Sequence, residues 1–269
     1  MDSIIQAVEL AKAGNPQTRP SSSPRDFQSG VSDVRFGSLQ LNAAYLESTR
    51  VVAHDGNDDP RGRYFDMLRT QVLQEMDQND WQFLAITSPT PGCGKSVTAC
   101  NLAMSISRLS GRSVMLVDLD LQKPRISQYL GLNSKHGVLS VLQNQLALSN
   151  IAVEASVGRS KFVVLPGEVC KRGSAEWMAS QAMSTLLQTI KREFRSRIVI
   201  FDMPPVLIGD DVISILPQMD AVLLIAGVGS SSIADIKECR KHLANTPVVR
   251  VVVNRVTDKT DDYYGYGYY

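Results

Sequence analysis

Six short runs of apolar residues recur along the chain, at 83–87, 114–118, 162–165, 198–202, 221–226 and 248–254. Each is continuously apolar rather than alternating, which marks a strand buried on both faces. Stretches with helical spacing separate them, one running from about Lys95 to Arg108. The pattern predicts an α/β fold, a doubly wound and mostly parallel sheet flanked by helices. In such folds ligands sit beyond the carboxyl ends of the strands.

The first sixty residues read differently. Residues 2–13 fit a short amphipathic helix, capped by Asp2 or Ser3, with Ile4, Ile5, Val8 and Ala11 on one side. From Gly14 to about Pro60 the chain is rich in Ser, Pro, Gly, Asn and Asp, so we expect a mobile linker with one ordered patch near 39–45. The expected organisation is residues 1–60 as helix and linker, 61–258 as the folded domain, and 259–269 as a flexible tail.

Composition narrows the class. The 269 residues are 43% hydrophobic and 20% charged with net charge +1, which suits a globular protein and gives no electrostatic support for nucleic acid as a partner. No apolar stretch approaches the ~20 residues needed to cross a bilayer, and the N-terminus lacks a signal-like core, so a cytoplasmic location is expected. Cys93, Cys100, Cys170 and Cys239 form no C-x-x-C pair, and neither a zinc site nor a disulfide framework is expected.

Three motifs carry the candidate chemistry, each at the end of an expected strand. The first, SPTPGCGKSVTA, has the form of a phosphate loop. Gly92 and Gly94 free the backbone N–H groups to turn toward phosphate oxygens, with Cys93 between them. Lys95 brings a charge for the β and γ phosphates, Ser96 a hydroxyl for Mg2+, and Val97 continues into the helix whose N-terminus faces the anion. Pro89 stands where the usual pattern has its first glycine. The second motif, VMLVDLDLQKP, delivers Asp118 and Asp120 to the same side of an extended chain. One could ligate or orient Mg2+ and its water while the other accepts a proton. The third, IVIFDMPP, ends a strand at Asp202, where phosphate-loop enzymes place the acid that holds Mg2+. ATP and Mg2+ are the expected ligands. The final seven residues, YYGYGYY, hold five of the eight tyrosines, Tyr263, Tyr264, Tyr266, Tyr268 and Tyr269, a flexible string suited to accept phosphate.

Over residues 60–269 these motifs, together with Asp211 after FDMPPVL and the VNRV near the end, resemble the bacterial tyrosine autokinases of exopolysaccharide and capsule assembly. The resemblance implies a phosphate-loop fold of the MinD/ParA-like group and an ATP-dependent kinase that modifies tail tyrosines of a neighbouring subunit. It implies that Asn254 lies near the adenine. Its implied partners are further copies of the chain, a separate inner-membrane polysaccharide co-polymerase that recruits it to the membrane, and a tyrosine phosphatase. The chain departs from the family in three places. An oligomerising E-x-x-R-x-x-R pattern aligns with Arg63, Asp66 and Arg69, Cys93 replaces a glutamate, and Gln122 and Lys123 replace two arginines. Cys93, beside Lys95 and a helix N-terminus, reads either as a redox-sensitive thiol or as a small residue in a small space. Two other functions stay open. One is a MinD/ParA-like switch ATPase, although Thr90 and Pro91 occupy the region of its additional lysine; the other is a catalytically weak ATP-binding scaffold.

Overall fold

The computed structural model describes residues 36–53, 60–194 and 197–256. The expected helix at 2–13 and the tyrosine tail lie outside these residues. The six apolar runs all form strands: β2 (Phe83–Thr87), β3 (Ser113–Asp118), β5 (Ser160–Leu165), β6 (Arg197–Asp202), β7 (Ala221–Gly227) and β8 (Val248–Asn254). Two more, β1 (Gly37–Gln40) and β4 (Val153–Val157), complete a sheet of eight in the order β1-β4-β5-β3-β6-β2-β7-β8. Every pairing is parallel except β4 with β5.

The continuous apolarity has a direct structural cause. Alternate residues of each central strand enter two separate cores, one on each face. Leu84, Ile86, Leu116 and Ile200 pack into the first, while Phe83, Ala85, Val117 and Phe201 pack into the second. Helix α3 (Lys95–Ser107) covers the first face and is buried along nearly its whole length, because α2 (Pro60–Gln78) packs over it. On the second face α8 (Gln181–Glu193) buries Met183, Leu186, Leu187 and Ile190, an i, i+3, i+4, i+7 stripe. Its cap, Ser180, accepts from Met183 N, and Lys191 and Arg192 suit its C-terminal dipole.

The folded core does not begin at Arg61, as expected, but by residue 36. β1 is followed by α1 (Ala43–Ser48), and Leu41, Leu46, Val51 and Val52 are buried. Asn101 in α3 stitches the segment down: its Oδ1 accepts from Val52 N at 2.8 Å, and its Nδ2 donates to Arg50 O at 3.0 Å. The expected linker therefore contains an edge strand and a short helix. Of the three positions aligned with the E-x-x-R-x-x-R pattern, Arg63 and Asp66 exchange the usual charges; Asp66 pairs with Arg69 at 2.9 Å within α2, and Ser105 Oγ donates to Asp66 at 2.5 Å.

The remaining helices are α4 (Ile126–Leu130), α5 (Val138–Leu142), α6 (Leu148–Ile151), α7 (Ser174–Met178), α9 (Asp211–Ile215) and α10 (Ile233–His242). The chain passes from β2 over β6 to β3, later returns to β6, and then continues to β7 on the other side of β2. This reversal opens a crevice at the carboxyl ends of β2, β3 and β6.

Candidate functional site

The loop between β2 and α3 turns at Gly92 (φ 81°) and Gly94 (φ 94°), both in the left-handed region that glycine tolerates. Gly94 has a second constraint. A Cβ there would lie 2.2 Å from Asn254 Nδ2, so only glycine lets the end of β8 approach. Asn254 Nδ2 donates to Cys93 O at 2.9 Å, and its Oδ1 accepts from Arg255 N at 2.9 Å. Asn254 thus braces the loop from the β8 side. Thr90 Oγ1 ties it to the segment after β7 by donating to Ser230 O at 2.7 Å.

Lys95 and Ser96 open α3 and are buried. Lys95 Nζ donates to Asp120 Oδ2 at 2.7 Å, lies 3.6 Å from Asp202 Oδ1 and donates to Ser96 Oγ at 3.4 Å. Burial works against the charge on Lys95, but Asp202 and Asp120 outweigh it and hold the amine above its ordinary pKa. Val97, half-buried in the same turn, passes its carbonyl to Asn101 Nδ2 at 2.9 Å.

The register of β3 against β6 pairs Asp118 with Asp202, so two carboxylates stand side by side at the strand ends. Both have no exposed surface. Burial and the neighbouring Asp202 push Asp118 up to about 8. Burial also raises Asp202, against the opposing pull of Lys95 and Ser96. Their hydrogen bonding differs. Asp118 Oδ2 accepts from Arg125 N at 2.9 Å and Ile126 N at 3.0 Å, which fixes the turn into α4, and its Oδ1 accepts from Asp120 N at 3.2 Å. Asp120 Oδ1 accepts from Lys123 N at 3.0 Å. Neither oxygen of Asp202 has a hydrogen-bond partner. Lys95 Nζ at 3.6 Å offsets the charge only from beyond hydrogen-bond distance, and a buried carboxylate with neither oxygen hydrogen-bonded is costly unless a closer cation completes it.

These residues fit Mg2+. Three carboxylates face one ammonium, and the orphaned Asp202 oxygens lie beside the Ser96 hydroxyl. Among the described residues no cluster of His, Cys, Asp or Glu could hold a metal ion by protein ligands alone. Mg2+ suits such a place, because it keeps waters and binds through one or two protein oxygens plus substrate phosphates.

The structure thus brings Gly92, Cys93, Gly94, Lys95, Ser96, Asp118, Asp120, Asp202 and Asn254 to one crevice. Cys93 is buried; burial raises its thiol, but hydrogen bonds with Ser231 and Thr90 more than compensate and leave it below the ordinary thiol pKa. Lys95 is not among the causes. Gly227 packs on Cys93, since a Cβ at Gly227 would come within 3.0 Å of Cys93 Cα. Gln122 Nε2 donates to the buried Asp211 at 2.9 Å. Sequence reasoning missed Gly167, where a Cβ would meet Asp118 Cγ at 2.8 Å. The Pro166-Gly167 pair at the end of β5 was the available signal.

Comparison with known proteins agrees with this geometry. Residues 84–264 match the CobQ/CobB/MinD/ParA nucleotide binding domain. EpsB of Ralstonia nicotianae is 28% identical over 238 residues, covering 88% of this chain but 31% of that protein, so the chain spans about a third of that relative's length. Tyrosine-protein kinase YwqD of Bacillus subtilis is 27% identical over 233 residues, covering 86% of this chain and 95% of YwqD. The solved kinase domain of the Escherichia coli tyrosine kinase ETK superposes with a TM-score of 0.69 at 23% identity, covering 81% of this chain and 84% of ETK's, a likeness of fold.

Proposed function

We propose that this chain, which belongs to the CobQ/CobB/MinD/ParA nucleotide-binding domain family, is an ATP-dependent protein-tyrosine kinase that modifies the tail tyrosines of a neighbouring copy. The observation that carries the proposal is the orphaned, fully buried Asp202 beside Lys95 and Ser96 at a phosphate loop. The names of YwqD and ETK support the same reading.

Phosphoryl transfer needs positioning and charge stabilisation more than covalent chemistry. The loop glycines present N–H groups to the phosphates, and Lys95 neutralises charge on the transferred group. Ser96 and Asp202, with Asp118 alongside, would hold Mg2+. Bound Mg2+ would offset the charge of the β and γ phosphates. The tyrosine oxygen forms its bond to the γ phosphorus as the bond to the bridging oxygen breaks, and ADP leaves. The phenol proton passes to Asp120, which is slightly exposed and held by Lys95; Asp118, with its oxygens committed to backbone N–H groups, positions the turn that carries Asp120. Asn254 braces the loop on the side that the resemblance assigns to adenine. The resemblance extends the proposal to control of exopolysaccharide or capsule polymerisation, with a membrane co-polymerase as activator and recruiter and a phosphatase as antagonist. Among the described residues no helix is long and apolar enough to cross a membrane.

Intact-protein mass spectrometry after incubation with Mg-ATP tests the proposal. Wild type should gain phosphates on Tyr263, Tyr264, Tyr266, Tyr268 or Tyr269, while Lys95→Met and a chain ending at Asp262 should gain none. No phosphate on wild type even with its activator, with nucleotide binding intact, would overturn it in favour of a scaffold or switch ATPase.

A further inference from the structure

The two loops beside the catalytic crevice carry a surplus of positive charge that the chemistry above does not use. Residues 119–125 follow β3 and residues 166–173 follow β5, the neighbouring strand. Both loops therefore emerge at the carboxyl edge that holds Asp118, and they are built as one surface. Cys170 N donates to Leu121 O at 2.8 Å, Gln122 Nε2 donates to Ser174 Oγ at 3.3 Å, and Gly167 packs against Pro124, where a Cβ would approach to 2.5 Å. From this surface Lys123, Arg125, Lys171 and Arg172 project as exposed side chains. Among the described residues none of the four pairs with a carboxylate. Arg125 instead donates to Gln128 Oε1 at 2.6 Å. Of the carboxylates nearby, Asp120 is spent on Lys95 Nζ and Lys123 N, Asp211 accepts from Gln122 Nε2, and Glu168 accepts from Gly137 N, Ser140 N and Ser140 Oγ, which leaves the exposed Glu176 against four cations.

The sequence contains a segment of complementary charge. Asp258, Asp261 and Asp262 against Lys259 give residues 257–262 a net charge of −2, directly ahead of the tyrosines. We infer that Lys123, Arg125, Lys171 and Arg172 form a docking platform for the acidic segment of a second copy's tail, so that the kinase selects tyrosines preceded by acidic residues. The inference rests on the kinase reading above.

Reach favours a second copy over the same chain. β8, which ends at Asn254, lies four strands from β3 and five from β5. At ~4.8 Å per strand the platform is about 19–24 Å from the chain's exit. The seven steps from Asn254 to Asp261 span at most about 23–25 Å. A chain docking its own acidic pair would be close to full extension, and its tyrosines would then have to turn back toward Lys95. A second copy meets neither constraint.

Two measurements on the full chain test the inference. In the first, a labelled peptide of residues 257–269 is titrated into the Lys95→Met chain and followed by anisotropy, which needs no transfer activity. Affinity should fall with added salt and drop about tenfold in the exposed charge reversal Lys171→Glu with Arg172→Glu. In the second, active donor acts on Lys95→Met acceptor. The reversed donor should show KM raised about tenfold with kcat within twofold, and Asp261→Lys with Asp262→Lys in the acceptor should restore it. Peptide affinity indifferent to both salt and reversal would overturn the platform, as would equal loss with both acceptors. Loss of binding to phosphatidylserine vesicles on reversal, with peptide binding unchanged, would overturn it in favour of a membrane surface. A wild-type donor that transfers nothing, while the peptide still binds in the charge-dependent way, would overturn the kinase reading and leave the platform standing.

Discussion

Replacing Asp202 by Asn should make the empty protein more stable while abolishing its activity. Asp202 is fully buried, and neither of its oxygens has a hydrogen-bond partner. An unsatisfied buried polar group costs roughly 1–3 kcal/mol, and a charged one more. Asn keeps the shape and the unsatisfied polar atoms but removes the charge, so the gain is the charge contribution alone, about 1.4 kcal/mol for each pH unit by which burial raises the carboxyl. Lys95 keeps its closer partner, Asp120 at 2.7 Å, when it loses Asp202 at 3.6 Å. A gain of about 1–3 kcal/mol corresponds to a rise in Tm of about 2–12 °C for a domain of this size. The pH dependence fixes the sign. Burial holds the folded pKa of Asp202 above its ordinary 3.8, so above pH 4 the folded state binds more protons than the unfolded state, and wild-type stability falls as pH rises. Asp202→Asn lacks this loss, so its advantage should be small near pH 4 and grow toward pH 8. Wild type should recover with ligand, by about 2.7 kcal/mol at a Mg-ADP concentration a hundredfold above Kd, whereas the variant should respond far less. Autophosphorylation should fall at least about a hundredfold. Calorimetry of both proteins from pH 4 to 8, with and without Mg-ADP, gives every quantity. An empty variant that melts at or below wild type at pH 7 would refute the reasoning.

Lys95→Met removes the one ammonium placed between Asp120 and Asp202, and breaking a buried pair from one side costs roughly 3–5 kcal/mol. Its Tm should fall steeply at pH 8 and approach wild type near pH 4 as the carboxyls take up protons; an equal deficit at both values would count against the charge argument. Gly94→Ala meets both a φ of 94° and an Asn254 Nδ2 at 2.2 Å, so it should cost about 1–3 kcal/mol in chemical denaturation and weaken ADP binding. Unchanged ADP affinity would mean that Asn254 does not brace the loop.

The strands were legible wherever burial on two faces left a continuous apolar run. Ser113–Asp118 and Arg197–Asp202 could hardly be read otherwise. β1 was not legible, because its four residues, Gly37 to Gln40, are all exposed and its pairing with Val153–Ser156 lies more than a hundred positions away. β4 escaped for a related reason. Its sequence VEASV alternates apolar and polar residues instead of forming a continuous run, and five residues of alternation are short, while the strand is fixed by folding back on β5 through Gly158. Helices of four to six residues, such as Ile126–Leu130, are too short to establish a period. In the site, the phosphate loop and the three aspartates could be named because each ends a recognisable strand. Their different work could not. That Asp118 fastens the turn to α4 while Asp202 keeps both oxygens unpartnered depends on how residues 119–126 fold back, which no spacing encodes.

The two-sided core and the charged crevice are connected. Carboxylates in a loose loop would separate or reach water, and their repulsion would vanish. Asp118 and Asp202 cannot do so, because adjacent parallel strands hold them in register and those strands are locked on both faces by residues such as Leu116, Val117, Ile200 and Phe201. The apolar core thus keeps like charges together at the sheet's end, and only protons, Lys95 or an added cation can relieve them. Protonation and metal binding therefore compete for the same oxygens of Asp202. It follows that the stability of the fold and its affinity for a metal-bound nucleotide are opposed at this carboxylate: each increment of cation affinity built into the crevice is an increment withheld from the empty fold.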